Sequence, residues 1–390
     1  MTLADRLIES LATTRVVVTV GDCGSGRSTA LLSVREHVGA RAQYIDIARV
    51  ATTPEQFLHA VVSGSTFVLP GGHLPPEPTS ARDAFDAVLN FFSAAQTRAG
   101  EPVVFLLDDA LDLRTFEAFP GLKQALPELL AATEPSRNRF VLASRFAHRV
   151  RKLLRDTTRD ILVIPAEGWT PDEITRRIDT GYRGIVAAGV TPGDTARTVH
   201  ALTGGRAAYV EAMLSALATL AEEGACDPVA ALAALLSPQG RLHAACRFCY
   251  EFRLHRARGY GALKGILNIL AHEEPLTLTH IARRLRRTPG STKDYLLWLE
   301  DVDLVHCERK RYTLADPLMR VWIRLNGTPM PPAEEDIARE VHRYAAERLS
   351  APAAAATPAV PVAAPVRRGA ASAPAATDAH GRAWGIIEID

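Results

Sequence analysis

The sequence has 390 residues, of which 47% are apolar and 23% are charged. This composition excludes a wholly disordered chain or a fibre, and the length is enough for two or three domains with buried cores. Because 45 Lys and Arg balance 44 Asp and Glu, for a net charge of +1, a surface for nucleic acid or anionic membrane must be local.

Cysteine content and the N-terminal segment bear on the compartment of the protein. The chain has five cysteines, too few for a disulfide framework. Residues 1–10 lack the pattern of a secretory signal peptide, and no apolar run reaches the roughly 18 residues that predict a membrane span. We therefore expect a cytoplasmic protein that does not contact membranes.

Short apolar runs alternate with helical patterns over residues 1–165, which is typical of βαβ units and a parallel sheet. The predicted strands are residues 15–20, 42–47, 103–107, 139–143 and 161–164. The predicted helices between them include residues 28–38, 81–98 and 121–133. Residues 63–80 are rich in Gly and Pro and are predicted to form a long loop.

A glycine-rich turn between the first predicted strand and the next helix is the strongest chemical signal. It reads Gly21-Asp22-Cys23-Gly24-Ser25-Gly26-Arg27-Ser28 and is followed by Thr29. Such a turn points backbone N–H groups at a phosphate, and the helix N-terminus adds positive potential. The pattern matches GxxxxGK[ST] except at Arg27, which replaces lysine. We predict that these residues bind ATP or ADP, with Arg27 on the β- and γ-phosphates and Ser28 on Mg²⁺.

Polar residues follow two other predicted strands. Asp108 is predicted to hold Mg²⁺ or its water shell, and Asp109 to polarise the attacking water. Two acidic residues at a strand end also occur in solvated turns, so this prediction depends on the glycine-rich turn upstream. Ser144 or Arg145 is predicted to sense the γ-phosphate or the attacking water, and the alternative for Arg145 is a surface charge.

From residue 170 onward the pattern is mainly helical. Thr170, Pro171 and Glu173 predict a helix start with a capping box. Further predicted helices cover residues 194–201, 207–221, 263–271, 278–285 and 291–301. A hairpin is predicted over residues 304–314. An amphipathic helix is predicted over residues 334–349, with Ile337, Val341, Tyr344 and Leu349 at helical spacing.

Two clusters in this part suggest binding. The first comprises basic residues on and beside the helices and hairpin, namely Arg283, Arg286, Arg287, Lys293, Arg309, Lys310 and Arg311. They are predicted to contact double-stranded DNA, and the alternative is a solvated face of a domain used for protein contacts. Cys246 and Cys249 are spaced as in some zinc sites, but one helical pattern covers both, so we interpret them as packing residues.

The C-terminal residues have an unusual composition. Residues 351–380 contain 14 Ala and 5 Pro and predict a flexible tether. Its tip carries the large apolar residues Trp384, Ile386, Ile387 and Ile389. We predict that this tip binds a protein partner or a neighbouring subunit, and the alternative is that it folds back on its own core.

In this order, the motifs resemble those of the archaeal-type ATPases, which belong to the STAND branch of the AAA+ P-loop proteins. The matching segments are residues 21–28, 107–109, 141–145, 161–165, 170–173, 203–206 and 312–322. Asp109 and Ala207 depart from the family pattern, which usually has Glu and Pro at these positions. The resemblance implies a helical lid and a winged-helix domain. It also implies that a neighbour's arginine completes the site in a homo-oligomer, and Arg159 is the candidate here.

The predicted architecture is an α/β P-loop NTPase core of the AAA+/STAND type with a parallel sheet, a helical lid, a winged-helix domain and a flexible tail. The predicted segments are the core 1–167, lid 168–240, winged helix 241–330, C-terminal helix 331–350, linker 351–380 and terminal binding motif 381–390. We predict a nucleotide-dependent switch within a larger complex, serving transposition, phage defence or DNA maintenance. The alternatives are a non-hydrolysing adaptor whose tail recruits a partner, and a DNA-binding regulator.

Overall fold

A five-stranded parallel sheet organises the N-terminal part of the chain. The computed structural model describes residues 1–75, 77–155, 160–187, 189–255, 257, 259–327 and 330–350. The strands are β1 (Val16–Val20), β2 (Ala42–Asp46), β3 (Val104–Asp108), β4 (Arg139–Ser144) and β5 (Ile161–Pro165). Their order is β2-β3-β4-β1-β5, and all neighbouring pairs are parallel. The predicted strands are confirmed to within one residue at each end.

Helices cover both faces of this sheet, which explains why its strands are apolar runs rather than alternating patterns. The helices are α1 (Leu3–Thr13), α2 (Arg27–Val38), α3 (Ile47–Val50), α4 (Pro54–Ser63), α5 (Ala81–Ala94), α6 (Ala125–Thr133) and α7 (Ala147–Leu154). Short 3₁₀ helices cover Gly39–Arg41 and Ala110–Ala118. Val17 belongs to the core formed with α1 and α2. Phe105 lies on the opposite face, where its ring centroid is 4.8 Å from that of Phe92 in α5.

Two predicted helices are shorter than expected for local reasons. The helix predicted over residues 81–98 ends at Ala94 because Gln96 forms an isolated antiparallel bridge with Val68. The helix predicted over residues 121–133 begins only at Ala125, after Gly121 adopts a φ of +79°. The described part of the predicted loop 63–80 contains no helix or strand beyond the end of α4.

Helices predominate after β5. They are α8 (Pro171–Gly181), α9 (Pro192–Thr203), α10 (Ala207–Glu222), α11 (Pro228–Leu236), α12 (Arg241–Leu254), α13 (Tyr260–Glu273), α14 (Leu278–Leu285), α15 (Pro289–Asp301), α16 (Pro317–Asn326) and α17 (Glu334–Ser350). A short 3₁₀ helix covers Arg183–Ile185. The capping box of Thr170 and Glu173 is confirmed at the start of α8. The helix predicted over residues 291–301 begins two residues earlier, at Pro289, because Thr288 caps α15 and a proline fits the first helical position.

A small antiparallel sheet accompanies α13, α14 and α15. Its strands are β6 (Leu276–Thr277), β7 (Val305–Glu308) and β8 (Arg311–Leu314), in the order β6-β8-β7. β7 and β8 form the predicted hairpin. The two residues of its turn, Arg309 and Lys310, have φ values of 49° and 66°. Such left-handed pairs match the twist of a two-residue hairpin loop.

The last described helix packs back on the helices that follow β5. Ile337, Val341 and Tyr344 are buried as predicted, but Leu349 is 46% exposed, so its assignment to the buried face is wrong. The Tyr344 hydroxyl donates to the carbonyl oxygen of Leu202 in α9 at 2.9 Å. All described residues belong to one compact unit, and the predicted tether and tip lie outside them. None of the described helices is both long and apolar enough to cross a membrane.

Asp303, between α15 and β7, ties the C-terminal helices to the core. Its side chain is 4% exposed, and its two carboxylate oxygens accept from the backbone N–H of His148 at 3.2 and 3.3 Å. Arg253 donates to the Asp303 carbonyl oxygen at 2.6 Å. Burial raises the pKa of Asp303 to about 7, despite the opposing effect of the Arg253 guanidinium.

This raised pKa predicts a measurable pH dependence of stability. Between the unfolded pKa near 4 and the folded pKa near 7 the native state binds more protons, so Asp303 lowers the free energy of unfolding as pH rises. Asp303→Asn keeps the hydrogen-bond acceptor and tolerates the φ of 53°. We expect the variant to gain roughly 2–4 kcal/mol relative to wild type between pH 5 and pH 8. Urea unfolding of both proteins at each pH measures this difference, and a pH-independent difference would contradict it.

Candidate functional site

The predicted site residues meet at one edge of the parallel sheet. β4 lies between β1 and β3, and the strands are parallel. The glycine-rich turn after β1, Asp108 at the end of β3 and Arg145 after β4 therefore leave the sheet at the same edge. Ligands of open α/β sheets bind at this edge, beyond the carboxyl ends of the strands.

The glycine-rich turn has the backbone of an anion-binding loop. Gly24 and Gly26 have φ values of +78° and +86°, which favour glycine. Gly26 is the N-cap of α2, and no described side chain caps this helix, so no side-chain acceptor satisfies its first N–H groups. Ser28 and Thr29 are exposed in the first turn of α2. An uncapped helix N-terminus with exposed hydroxyls suits a phosphate.

Arg27 is turned toward the end of β3. Its side chain is 8% exposed, with Nη1 3.4 Å from Oδ1 of Asp109 and Nε donating to Ser25 Oγ at 3.3 Å. Asp109 has a φ of 51° and also accepts from Arg145, whose Nε lies 3.0 Å from the same oxygen. A second guanidinium nitrogen of Arg145 contacts the other Asp109 oxygen and lies 3.6 Å from Asp112. The structure thus places Asp109 between two arginines.

Asp108 lies deeper, with 3% of its surface exposed. One carboxylate oxygen accepts from the Tyr44 hydroxyl at 2.9 Å, and the other accepts from the backbone N–H of Asp109 at 3.0 Å. Burial raises the pKa of Tyr44, and the negative charge of Asp108 raises it further, so this hydroxyl stays protonated. Each Asp108 oxygen retains a further lone pair. Asp46 stands opposite Asp108 in the register of β2 and β3, which adds a second carboxylate at the edge.

Asp22 links the glycine-rich turn to two distant helical segments. Its oxygens accept from Arg206 at 3.0 Å and from Arg253 in α12 at 2.9 Å. Arg206, at the start of α10, also donates to Asp316 at 2.8 Å, and Asp316 accepts from Tyr209 at 2.7 Å. Burial alone would raise the pKa of Asp22, but the two guanidinium charges lower it to about 2.

Arg206, Arg253 and Asp316 are not among the residues that the sequence predicts for the site. Arg206 and Asp316 lie inside the matched segments 203–206 and 312–322. Those motifs mark the two residues in the sequence but do not show which side chains they contact. Arg253 lies in α12 without any motif. Their approach to Asp22 depends on how the helices after β5 fold back onto the sheet.

The start of α10 rests directly on the glycine-rich turn. The backbone N–H of Ala208 donates to the Gly24 carbonyl oxygen at 2.9 Å. A Cβ at Gly24 would lie 2.8 Å from the Cβ of Ala208, closer than side chains pack. This contact requires glycine at position 24. The start of α10 therefore covers the turn.

The remaining predicted site residues fall into two groups. Arg159, Trp384, Ile386, Ile387 and Ile389 lie outside the described residues. The seven predicted nucleic-acid-binding residues from Arg283 to Arg311 are all exposed. Three of these, Arg283, Arg286 and Arg287, line an open groove of about 470 Å³ at the N-terminus of α15. Neighbouring Arg284 is instead paired with Glu273.

Comparison with solved structures bears on the fold. The Walker-type ATPase of Pyrococcus abyssi matches with a TM-score of 0.59 and 16% identity, over 82% of this chain and 94% of that one. The Orc1 protein of Aeropyrum pernix, solved in complex with DNA, matches with a TM-score of 0.41 and 14% identity over 88% and 91%. The RuvB Holliday junction branch migration motor of Thermotoga maritima matches with a TM-score of 0.38 and 11% identity over 84% and 92%.

No protein-family model and no curated protein matches the sequence. The likeness to the Walker-type ATPase of Pyrococcus abyssi shows that this chain has the same α/β fold, with its five-stranded parallel sheet covered by helices.

Proposed function

We propose that the protein is an ATP-binding switch of the STAND branch of the AAA+ proteins. The observation that carries this proposal is the bonding of Asp22. A carboxylate within the phosphate-binding turn accepts from Arg206 of the lid and from Arg253 of α12. Phosphate oxygens bound at the turn compete with Asp22 for the same guanidinium groups, because arginine bonds carboxylate and phosphate alike. Nucleotide occupancy is thereby coupled to the position of the lid and of α12.

The residues at the sheet edge fit Mg²⁺ together with a nucleotide. Ser28 and Asp108 supply the hydroxyl and carboxylate oxygens that Mg²⁺ prefers, and Asp108 retains free lone pairs. When bound, Mg²⁺ would neutralise part of the phosphate charge. The uncapped start of α2 would bind phosphate through N–H groups, and Arg27 would contact the β- and γ-phosphates. Gly21, Asp22, Cys23, Gly24, Ser25, Gly26 and Thr29 complete the proposed nucleotide site.

Asp109 and Arg145 are proposed to act at the γ-phosphate end. Asp109 is hydrogen-bonded to Arg145 and lies within ion-pair distance of Arg27. A γ-phosphate would attract these two cations. Asp109 would then be free to accept a proton from the attacking water. In a homo-oligomer, Arg159 of a neighbouring subunit would supply a further cation.

Replacing the Asp22 carboxylate tests the switch directly. In Asp22→Asn we expect ATP affinity to rise at least fivefold, because a negative charge facing the phosphates is lost and two arginines are released. Without nucleotide, amide hydrogen exchange in α12 should be faster in Asp22→Asn than in wild type. In wild type, exchange in α12 should become faster when ATP and Mg²⁺ are added. Titration calorimetry and exchange mass spectrometry measure the two effects.

Asp86→Asn is the matched control, since Asp86 is also paired with an arginine, at 2.6 Å, but lies exposed on α5. It should change neither quantity. Two results would contradict the switch. One is an Asp22→Asn protein that binds ATP no more tightly than wild type, and the other is a wild type in which ATP does not change the rate of amide exchange in α12.

A non-hydrolysing nucleotide-binding adaptor is the second candidate function, and the pairing of Arg27 with Asp109 favours it. A carboxylate held between two guanidinium groups is a poor acceptor for the proton of water while those bonds persist. Under this alternative the nucleotide stabilises the fold, and the tip Trp384–Asp390 recruits a protein partner or a neighbouring subunit.

Phosphate release separates the two candidates. If the protein hydrolyses ATP, we expect Asp109→Ala to lower steady-state phosphate release at least tenfold while ATP still binds. Equal, background-level release by wild type and variant, together with measurable ATP binding, would instead establish the adaptor. The coupled phosphate assay should be run with Mg²⁺ in excess of ATP.

The C-terminal helices are proposed to form a winged helix that binds double-stranded DNA. The order α13, β6, α14, α15 and the β7–β8 hairpin is that of a helical trio followed by a wing. Arg283 and Arg287 line the groove beside the N-terminus of α15, where backbone N–H groups add positive potential. Arg286, Lys293, Arg309, Lys310 and Arg311 would extend the contact along the phosphate backbone. This interaction would connect the switch with DNA maintenance, transposition or phage defence in the cytoplasm.

A paired substitution tests the DNA surface. Each phosphate contact contributes about 0.9 to the slope of log affinity against log salt, so Arg283→Gln with Arg287→Gln should reduce that slope by about 2. Arg339→Gln with Arg343→Gln removes the same charge from α17 and should leave the slope unchanged. Fluorescence anisotropy with a duplex at several salt concentrations measures both. Equal losses in the two double variants would contradict a local DNA surface.

A further inference from the structure

Two cysteines from distant parts of the chain meet beside the glycine-rich turn. Cys23 is half-buried in that turn, and Cys249 is buried in α12. Cys23 and Cys249 interact with each other, and this interaction shifts the pKa of both thiols. One helical turn after Cys249, Arg253 donates to Asp22, the residue that precedes Cys23. Two successive turns of α12 therefore contact two successive residues of the phosphate-binding turn.

The surroundings make Cys23 the more nucleophilic thiol. The interaction with Cys249 lowers the pKa of Cys23, and the guanidinium groups of Arg253 and Arg145 add to this effect against the opposing effects of burial and Asp22. The same interaction and burial raise the pKa of Cys249. A partly exposed thiol stabilised as thiolate, with a second thiol in contact, is the arrangement of a redox-sensitive pair.

The three other cysteines are placed differently. Cys246 is buried one turn earlier in α12, where its sulfur lies 3.8 Å from the Tyr209 hydroxyl. Cys226 is half-buried and Cys307 is exposed.

We propose that peroxide converts Cys23 and Cys249 into a reversible disulfide that fastens the phosphate-binding turn to α12. The Cys23 thiolate attacks one peroxide oxygen, the O–O bond breaks, and the released hydroxide takes a proton to become water. The resulting sulfenic acid is attacked by the Cys249 sulfur, the S–O bond breaks, and the second water leaves with the Cys249 proton. The two thiols lose two electrons, and hydrogen peroxide is reduced to two waters.

The disulfide would act on the contact that the proposed switch uses. A covalent bond at Cys249 holds Arg253 against Asp22, so phosphate could no longer draw α12 away. Oxidation would thus fix the ion-paired arrangement, and thiol reductants would release it. Formation of the bond is independent of the proposed function, whereas its effect on the ATP response rests on it.

Disulfide mapping of the full-length protein tests the bond itself. After brief treatment with hydrogen peroxide and alkylation of free thiols, we expect a cross-linked peptide pair containing Cys23 and Cys249, lost on adding dithiothreitol. Cys307→Ser should retain the pair, and Cys249→Ser should lack it. Conversion of Cys23 to sulfinic acid without cross-linking, or its pairing with any other cysteine, would overturn the proposal.

Hydrogen exchange tests the consequence. The ATP-induced increase in α12 exchange should fall at least tenfold in peroxide-treated wild type and recover with dithiothreitol, while Cys249→Ser should respond equally before and after peroxide. An oxidised, cross-linked wild type that keeps its ATP response would overturn the regulatory role. If the reduced wild type itself ignores ATP, the proposed function fails, and the mapping result for the disulfide still stands.

Discussion

The placement of the helical segments over the sheet depends on one carboxylate that neutralises two arginines. The Arg253 side chain is 6% exposed and that of Arg206 is 15% exposed, so neither guanidinium is fully hydrated. Removing an ion from water costs several kcal/mol unless an opposite charge and hydrogen bonds replace the water. Asp22 supplies that charge to both, and Asp316 supplies a second acceptor to Arg206. The fold thus places its balancing negative charge within the glycine-rich turn that we propose binds phosphate.

The same principle operates at the other end of the site. Asp109 is the counter-charge for Arg145 and Arg27, and all three side chains are largely buried. Arginine at position 27 has a consequence that lysine would not have. Its planar guanidinium donates to Ser25 through Nε while Nη1 faces Asp109, whereas a lysine offers a single point charge. The departure from the usual phosphate-loop lysine therefore adds a link between the turn and the end of β3.

Electrostatic pairing also distinguishes the interior of the molecule from its basic surface. Arg320 and Arg324 pair with Glu274 and Glu340 between the C-terminal helices. Those pairs join α16 to the segment before β6 and to α17. The arginines around the 470 Å³ groove are exposed instead, with their charges directed to solvent. Exposed cations are available to an anionic partner, and the proposal of DNA binding rests on these arginines.

Local sequence determined a large part of the structure. Apolar runs located all five strands of the parallel sheet to within a residue, because strands buried on both faces have few polar positions. Thr170 and Glu173 defined the start of α8, since a capping box is satisfied within four residues. The glycines at positions 24 and 26 indicated the tight turn between β1 and α2, because positive φ values are open mainly to glycine.

Only the tertiary structure decided which charges meet. Asp22 lies 184 residues from Arg206 and 231 from Arg253, and nothing local in a sequence specifies contacts at that range. The end of α5 at Ala94 likewise depends on the bridge between Gln96 and Val68, and the helical propensity of the residues does not predict that bridge. Short-range patterns report hydrogen bonds and burial within one element. Ion pairs between elements depend on how those elements pack, and packing is a property of the whole chain.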